Sequence, residues 1–136
     1  MAGYSQALSV SAYTSAAAHG VATEADPHRL ICMLYDGALD RLASAKGCIE
    51  QGLLVEKAGL LHRVGEILEE LTCSLDHSVG GELSANLERL YDYMARRVIL
   101  ANAKNDVAAI EEVMRLLNKI RSAWVAIPTE FRTARR

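Results

Sequence analysis

Four histidines and three cysteines are the residues whose types could hold a metal or attack a substrate. Di-metal carboxylate sites in helical proteins take a Glu-x-x-His pair from each of two helices, because ligands three apart share one face. The residues three before His19, His28, His62 and His77 are Ala16, Ala25, Gly59 and Ser74, so no such pair exists. His62 and Glu66 are four apart, the spacing of a solvated polar pair on a helix. Cys32, Cys48 and Cys73 are odd in number and far apart. Without a Cys-x-x-Cys spacing they suggest neither a zinc knuckle nor a dithiol redox site. They read as small, buried or partly buried apolar residues of a reduced, cytosolic chain. His-Glu-x-x-His, Gly-x-Ser-x-Gly and a phosphate-cradling glycine loop do not occur in the sequence. Gly80-Gly81 reads as a turn between helices, and Arg132, Arg135 and Arg136 as a solvated basic end. These residue types give no catalytic constellation, no metal site and no cofactor site.

Charge and composition narrow the partners. Fifteen Lys+Arg against seventeen Asp+Glu leave a formal net charge of -2, and aromatics are 5%. A nucleic-acid binder needs concentrated positive charge or stacking platforms, so nucleic acid is not expected. Val98-Ile99-Leu100-Ala101 is typical of the longest apolar runs, too short to insert into a membrane. The Ala- and Ser-rich start lacks the basic residues and continuous apolar run of a secretory signal. With 51% apolar and 24% charged residues, 136 residues make one domain with a proper core.

The elements that must position any site are helices. Pro27 and Pro128 lie near the two ends, leaving the chain between them free to be helical. Asp26-Pro27 opens a first helix, with Asp as cap and Pro at the first position. Ile31, Leu34, Ala38, Leu42, Ala45 and Ile49 form its buried stripe, and Gly52 closes it. A second stripe, Leu54, Ala58, Leu61, Val64, Leu68, Leu71 and Leu75, is expected to stop at Gly80-Gly81. The third is Leu83, Leu87, Leu90, Met94, Val98 and Ala101, broken by Asn102 to Asp106. The fourth is Ile110, Val113, Leu117, Ile120 and Trp124. Short turns between four helices of about twenty residues, ~30 Å each, predict an all-α, antiparallel up-and-down four-helix bundle. Asp92–Arg96 and Glu111–Arg115 have the spacing of surface ion pairs. The expected organisation is a flexible arm over 1–24, the bundle over 25–128 and a basic tail over 129–136.

Several apolar residues exceed what a narrow core seam needs. Leu30, Met33 and Leu39 flank the first stripe; Leu53, Leu60 and Ile67 line up on the second helix; Tyr91, Ile99 and Leu100 lie off the third stripe. Two readings stand: a wide core face, or an apolar groove for a partner's amphipathic helix.

Met33-Leu34-Tyr35-Asp36-Gly37-Ala38, preceded by Asp26-Pro27-His28-Arg29-Leu30, resembles the first-helix signature of the flagellar secretion chaperone (FliS) family. Gly80-Gly81-Glu82 with Asn86-Leu87, and Leu90-Tyr91-Asp92-Tyr93-Met94 with Arg96-Arg97, resemble its third-helix signature. Ala101-Asn102, Asn105-Asp106 and Trp124 complete the likeness, which runs from about Val10 to Ile127. Two positions depart from the family pattern. Asp26 stands where Ser is common and keeps a capping oxygen, whereas Leu53 stands where Asp is common.

The resemblance implies a cytosolic, non-enzymatic chaperone that binds the C-terminal segment of flagellin and keeps it from polymerising. It implies delivery of flagellin to the flagellar export gate and, in some members, contact with an anti-sigma factor. A monomer or weak homodimer is expected. Val10 and Tyr13 match an apolar residue and a tyrosine of the family's N-terminal segment. Together with Leu30, Met33, Tyr35, Tyr91 and Ile99 they are the expected flagellin-binding or lid residues. Val10 and Tyr13 either cover the groove or touch flagellin directly. A helical-bundle adaptor or regulator without a flagellin client is the alternative.

Overall fold

The computed structural model describes residues 26–128. The expected arm with Val10 and Tyr13, and the basic tail, lie outside the described residues. Helix α1 spans Pro27–Gln51 and is capped by the Asp26 side chain, which accepts from the Arg29 N–H at 2.7 Å. Such a cap contributes ~1 kcal/mol. Gly52 ends α1 in the left-handed region at φ 76°, where glycine carries no side-chain penalty. Helix α2, Leu54–Cys73, starts without a side-chain cap because Leu53 occupies the capping position. Glu56 in its first turn faces the positive end of the helix dipole instead.

The link after α2 differs from the expected stop at Gly80-Gly81. Helix α2 ends at Cys73, and a one-turn helix α3, His77–Gly80, follows. Ser74 Oγ donates to the Leu71 carbonyl at 2.7 Å. Asp76 accepts from the Ser78 N–H at 3.0 Å and from its hydroxyl. Short polar side chains thus bond local backbone and compete with helix continuation before the glycines are reached. Gly81 then opens α4, Glu82–Lys104. Asn105, left-handed at φ 53°, ends α4, and Asp106 caps α5, Val107–Val125, by accepting from the Ala109 N–H at 3.2 Å.

Helix α1 packs on α2 and α5, and α4 packs on the same two. This is the four-cornered ring of an up-and-down bundle, with α3 leaning on α4. Its core takes Ala38, Leu42 and Ala45 from α1; Leu61, Val64, Leu68 and Leu71 from α2; Met94, Val98 and Ala101 from α4; and Ile110, Val113 and Leu117 from α5. Tyr35, Ile67 and Tyr91 are buried as well, so the core face is wider than the seam at those positions. Three expectations are corrected. Leu54 and Leu83, assigned to stripes, are 44% and 65% exposed, because each lies in the first turn of its helix. Cys73, at the last turn of α2, is exposed rather than buried.

Polar ties hold the helices in register. The Lys57 ammonium, buried at the start of α2, donates to the Asn102 carbonyl at 2.8 Å. It thereby satisfies and charge-complements the C-terminal end of α4. Arg97 on α4 and Glu112 on α5 pair at 2.8 Å. Glu111 reaches across to Lys46 of α1 at 2.9 Å, in place of the expected pair with Arg115. Asp92 and Arg96 pair along α4 as their spacing predicts.

Candidate binding groove

Where α2 stops short, the bundle is open. A groove of about 760 Å³ lies between the first turns of α1 and α4, the last turns of α5 and the α2–α3–α4 link. Pro27, Leu30 and Ile31 come from α1, Leu75 and Val79 from the link, and Leu83 and Leu87 from α4. Ile120, Ala123, Trp124 and Ile127 come from α5 and the residues after it. Val79 and Leu83 stand out to solvent at 67% and 65% exposure. Exposed large apolar side chains gathered around one concavity mark a binding surface rather than scattered surface leucines.

Tyr35 of α1 and Tyr91 of α4 line the groove deepest. They are 1% and 2% exposed, and their hydroxyls bond each other at 2.7 Å. The hydrogen bond satisfies two polar atoms that would be costly to bury alone. Burial raises the Tyr91 hydroxyl above its ordinary pKa, outweighing the opposing pull of the bond from Tyr35. Tyr91 therefore keeps its proton at physiological pH.

The α5 wall is fixed to α1 by a clasp between His28 and Trp124. Their rings stack with centroids 4.9 Å apart and planes 9° from parallel. His28 Nε2 lies 2.6 Å from the Trp124 carbonyl. A carbonyl only accepts, so Nε2 carries the proton and donates. The Trp124 indole N–H donates back to the His28 carbonyl at 2.9 Å. Cys32 Sγ lies 3.8 Å from His28 Nδ1, the acceptor nitrogen of that tautomer.

The charged groups of the rim are few. Asp76 and Lys119 border the groove. The Ser78 hydroxyl, bonded to Asp76, holds that carboxyl below its usual range. Among the described residues no cluster of three His, Cys, Asp or Glu could hold a metal. The His62–Glu66 pair is a solvated contact at 3.4 Å. No helix among the described residues is long and apolar enough to cross a membrane. Chemically, the groove can bury the apolar face of a helical or extended segment and offer its edge a cation and an anion.

Of the site residues expected from sequence, Leu30, Tyr35 and Tyr91 line the groove. Met33 is exposed on α1 outside it. Ile99, also exposed, lies eight residues past Tyr91, about 12 Å further along α4. Val10 and Tyr13 fall outside the described residues. Sequence reasoning missed Val79, Leu83, Leu87, Trp124 and Ile127 as groove residues. By spacing Leu83, Leu87 and Trp124 belong to the core stripes, and Leu87 and Trp124 do pack against the core while also lining the groove. The available signal was position: a stripe residue in a helix's terminal turn has a facing partner only if the neighbouring helix extends as far.

The sequence profile of the family described as flagellar protein FliS matches residues 9–130. The flagellar secretion chaperone FliS of Salmonella typhimurium is 43% identical over 122 residues, covering 89% of this chain and 90% of that protein. The flagellar secretion chaperone FliSB of Pseudomonas aeruginosa is 43% identical over 105 residues, covering 77% and 83%. FliS of Bacillus subtilis is 37% identical over 112 residues, covering 82% of each. A helical bundle with an open apolar groove, matched over nearly its whole length by these chaperones, belongs to the FliS family.

Proposed function

We propose that this protein is a cytoplasmic export chaperone whose groove takes up the C-terminal segment of flagellin. Binding keeps flagellin from polymerising prematurely and supports its delivery to the flagellar export gate. The protein turns over no small molecule. The observation that carries the reading is the 760 Å³ apolar groove, with Val79 and Leu83 exposed at its edge, in a chain of this family.

The physics suits a carrier. A disordered client segment pays an ordering cost of several kcal/mol when it folds on binding. Each Leu- or Val-sized side chain it buries returns about 1.5–3 kcal/mol. A handful of such anchors holds the client while leaving it releasable. Leu30, Tyr35 and Tyr91 contribute to the groove's apolar lining, and Val10 and Tyr13 are proposed as residues that cover the groove or meet the client. Met33 and Ile99 lie on faces that a longer client segment would reach. The protein acts as a monomer or weak homodimer.

Calorimetric titration with full-length flagellin and with flagellin lacking its C-terminal segment tests the site. Binding to the full-length protein alone is expected; equal binding to both refutes the proposal. Filament assembly should slow with excess chaperone present, and an unchanged rate refutes the activity.

A further inference from the structure

We propose that His28 is a positioning residue of the groove: by stacking on Trp124 and donating to its carbonyl, it holds the indole as the groove's α5 wall. The inference rests on the reading that the groove binds flagellin's C-terminal segment. His28 does not itself line the groove. It is buried at 5% exposure, one of only three buried polar side chains among the described residues. A buried polar group needs a partner, and this one has committed both ring nitrogens and its ring face.

The location explains why a tie is needed. Trp124 sits in the last turn of α5, where its carbonyl accepts from the Ile127 N–H at 3.2 Å, a bond made by a residue just past the helix. Helix ends fray unless something holds them. His28 supplies a second, shorter bond to the same carbonyl from the neighbouring helix, tying the end of α5 to α1. The returned indole N–H bond then fixes the side chain as well as the backbone. Two hydrogen bonds between residues 96 apart, plus a near-parallel stack, leave the indole one orientation. That orientation presents the ring to the groove, where Trp124 is the largest side chain contributed by α5.

Histidine is suited to both jobs at once. Phe can stack but cannot donate; Gln can donate but cannot stack. Neither substitute reproduces the clasp, so each should leave a folded bundle with a looser wall.

Trp124 is the chain's single tryptophan, so its fluorescence reports the clasp directly. The test uses the full chain with His28→Phe, His28→Gln and His28→Ala. Three properties are read: cooperative melting, acrylamide quenching of Trp124, and affinity for a synthetic peptide of flagellin's C-terminal segment. Phe and Gln should each weaken peptide binding about three- to tenfold, and Ala more than about tenfold. Quenching should increase in the same order. Val113→Ala, a core change away from the clasp, should lower melting yet keep affinity and quenching at wild-type levels. Folded His28 variants with wild-type affinity and quenching would overturn the proposal. If the His28 variants do not fold, Trp124→Phe removes the indole donor together with part of the ring that lines the groove, so it is compared with Ile120→Ala, which trims the same wall without touching the clasp. A loss of affinity clearly larger in Trp124→Phe than in Ile120→Ala supports the clasp, and an equal or smaller loss overturns it. If wild type itself fails to bind the peptide, the functional reading falls. The clasp is then judged by quenching alone, and equal quenching in wild type and His28→Ala sinks it.

Discussion

The two ends of this bundle are built from the same four helices and differ in side-chain volume and in how the chain turns. At one end Ala45, Ala101 and Ala109 are all 0% exposed. Small side chains take little room between helices, and the turns there are short: Gly52-Leu53 between α1 and α2, and Asn105-Asp106 between α4 and α5. Lys57 bridges across this closed end to the Asn102 carbonyl in the last turn of α4. At the other end Tyr35 and Tyr91 replace alanine, and α2 gives way to a link of irregular residues and one helical turn. The larger side chains take up more room between the helices, and the link leaves a groove of about 760 Å³ at this corner. The closed end also exposes Leu53, Leu54 and Val55, yet these lie outside the groove. What sets the proposed binding end apart is an opening that apolar residues surround, not exposed apolar residues alone.

This contrast can be broken in the core that joins the ends. Leu117→Ala removes a fully buried side chain from α5. A loss of ~2–5 kcal/mol is expected in denaturant unfolding from the cavity left behind. A loss under about half a kcal/mol would misplace the core. At the closed end, Ala101→Leu should cost ~1–3 kcal/mol by overpacking. At the open end, Leu83→Ser replaces a residue that is 65% exposed and should leave melting nearly unchanged. Equal effects at the two positions would erase the distinction between tight and open ends. Asp106→Ala, which removes the α5 cap, should cost ~1 kcal/mol and is measured by the same unfolding curves.

A smaller effect should follow pH. Burial raises the Glu70 carboxyl above its ordinary range, against the opposing pull of Arg63. Its Oε1 is buried without a hydrogen-bond partner among the described residues. The folded state therefore keeps the Glu70 proton to higher pH than the unfolded chain does. Stability from this group is intact below the unfolded pKa and falls as pH rises through the folded one. Glu70→Gln should raise the melting temperature at neutral pH, with the difference shrinking in acid. A melting difference that grows in acid would reverse the assignment.

Much of the fold was legible in the sequence because caps and periodicity are local. Asp26, Gly52 and Asp106 mark helix boundaries through bonds they make with residues a few positions away. The stripe Ile110, Val113 and Leu117 needed only its spacing to place it in the core. Spacing alone carries α2 past its true end at Cys73, because Gly80-Gly81 is a stronger breaker signal than Ser74 and Asp76. The partner of Glu111 was misread because a spacing rule sees only its own helix, whereas Lys46 comes from another. The groove was half legible for the same reason. Tyr35 and Tyr91 stood out by type, but the openness beside Leu83 depends on where α2 stops. The His28–Trp124 clasp joins residues 96 apart, which no local pattern connects.

Paired substitutions at the two ends test the central claim most directly. One variant carries Val79→Ser with Leu83→Ser at the groove; the other carries Leu54→Ser with Val55→Ser at the closed end. Each is titrated with the C-terminal flagellin peptide after melting shows that it is folded. Burying Val- and Leu-sized groups is worth about 1.5–3 kcal/mol each, so the groove variant should lose at least about tenfold in affinity. The closed-end variant should bind as wild type does. Loss of binding in the closed-end variant, with the groove variant unaffected, would contradict the account and move the flagellin site to the opposite end of the bundle.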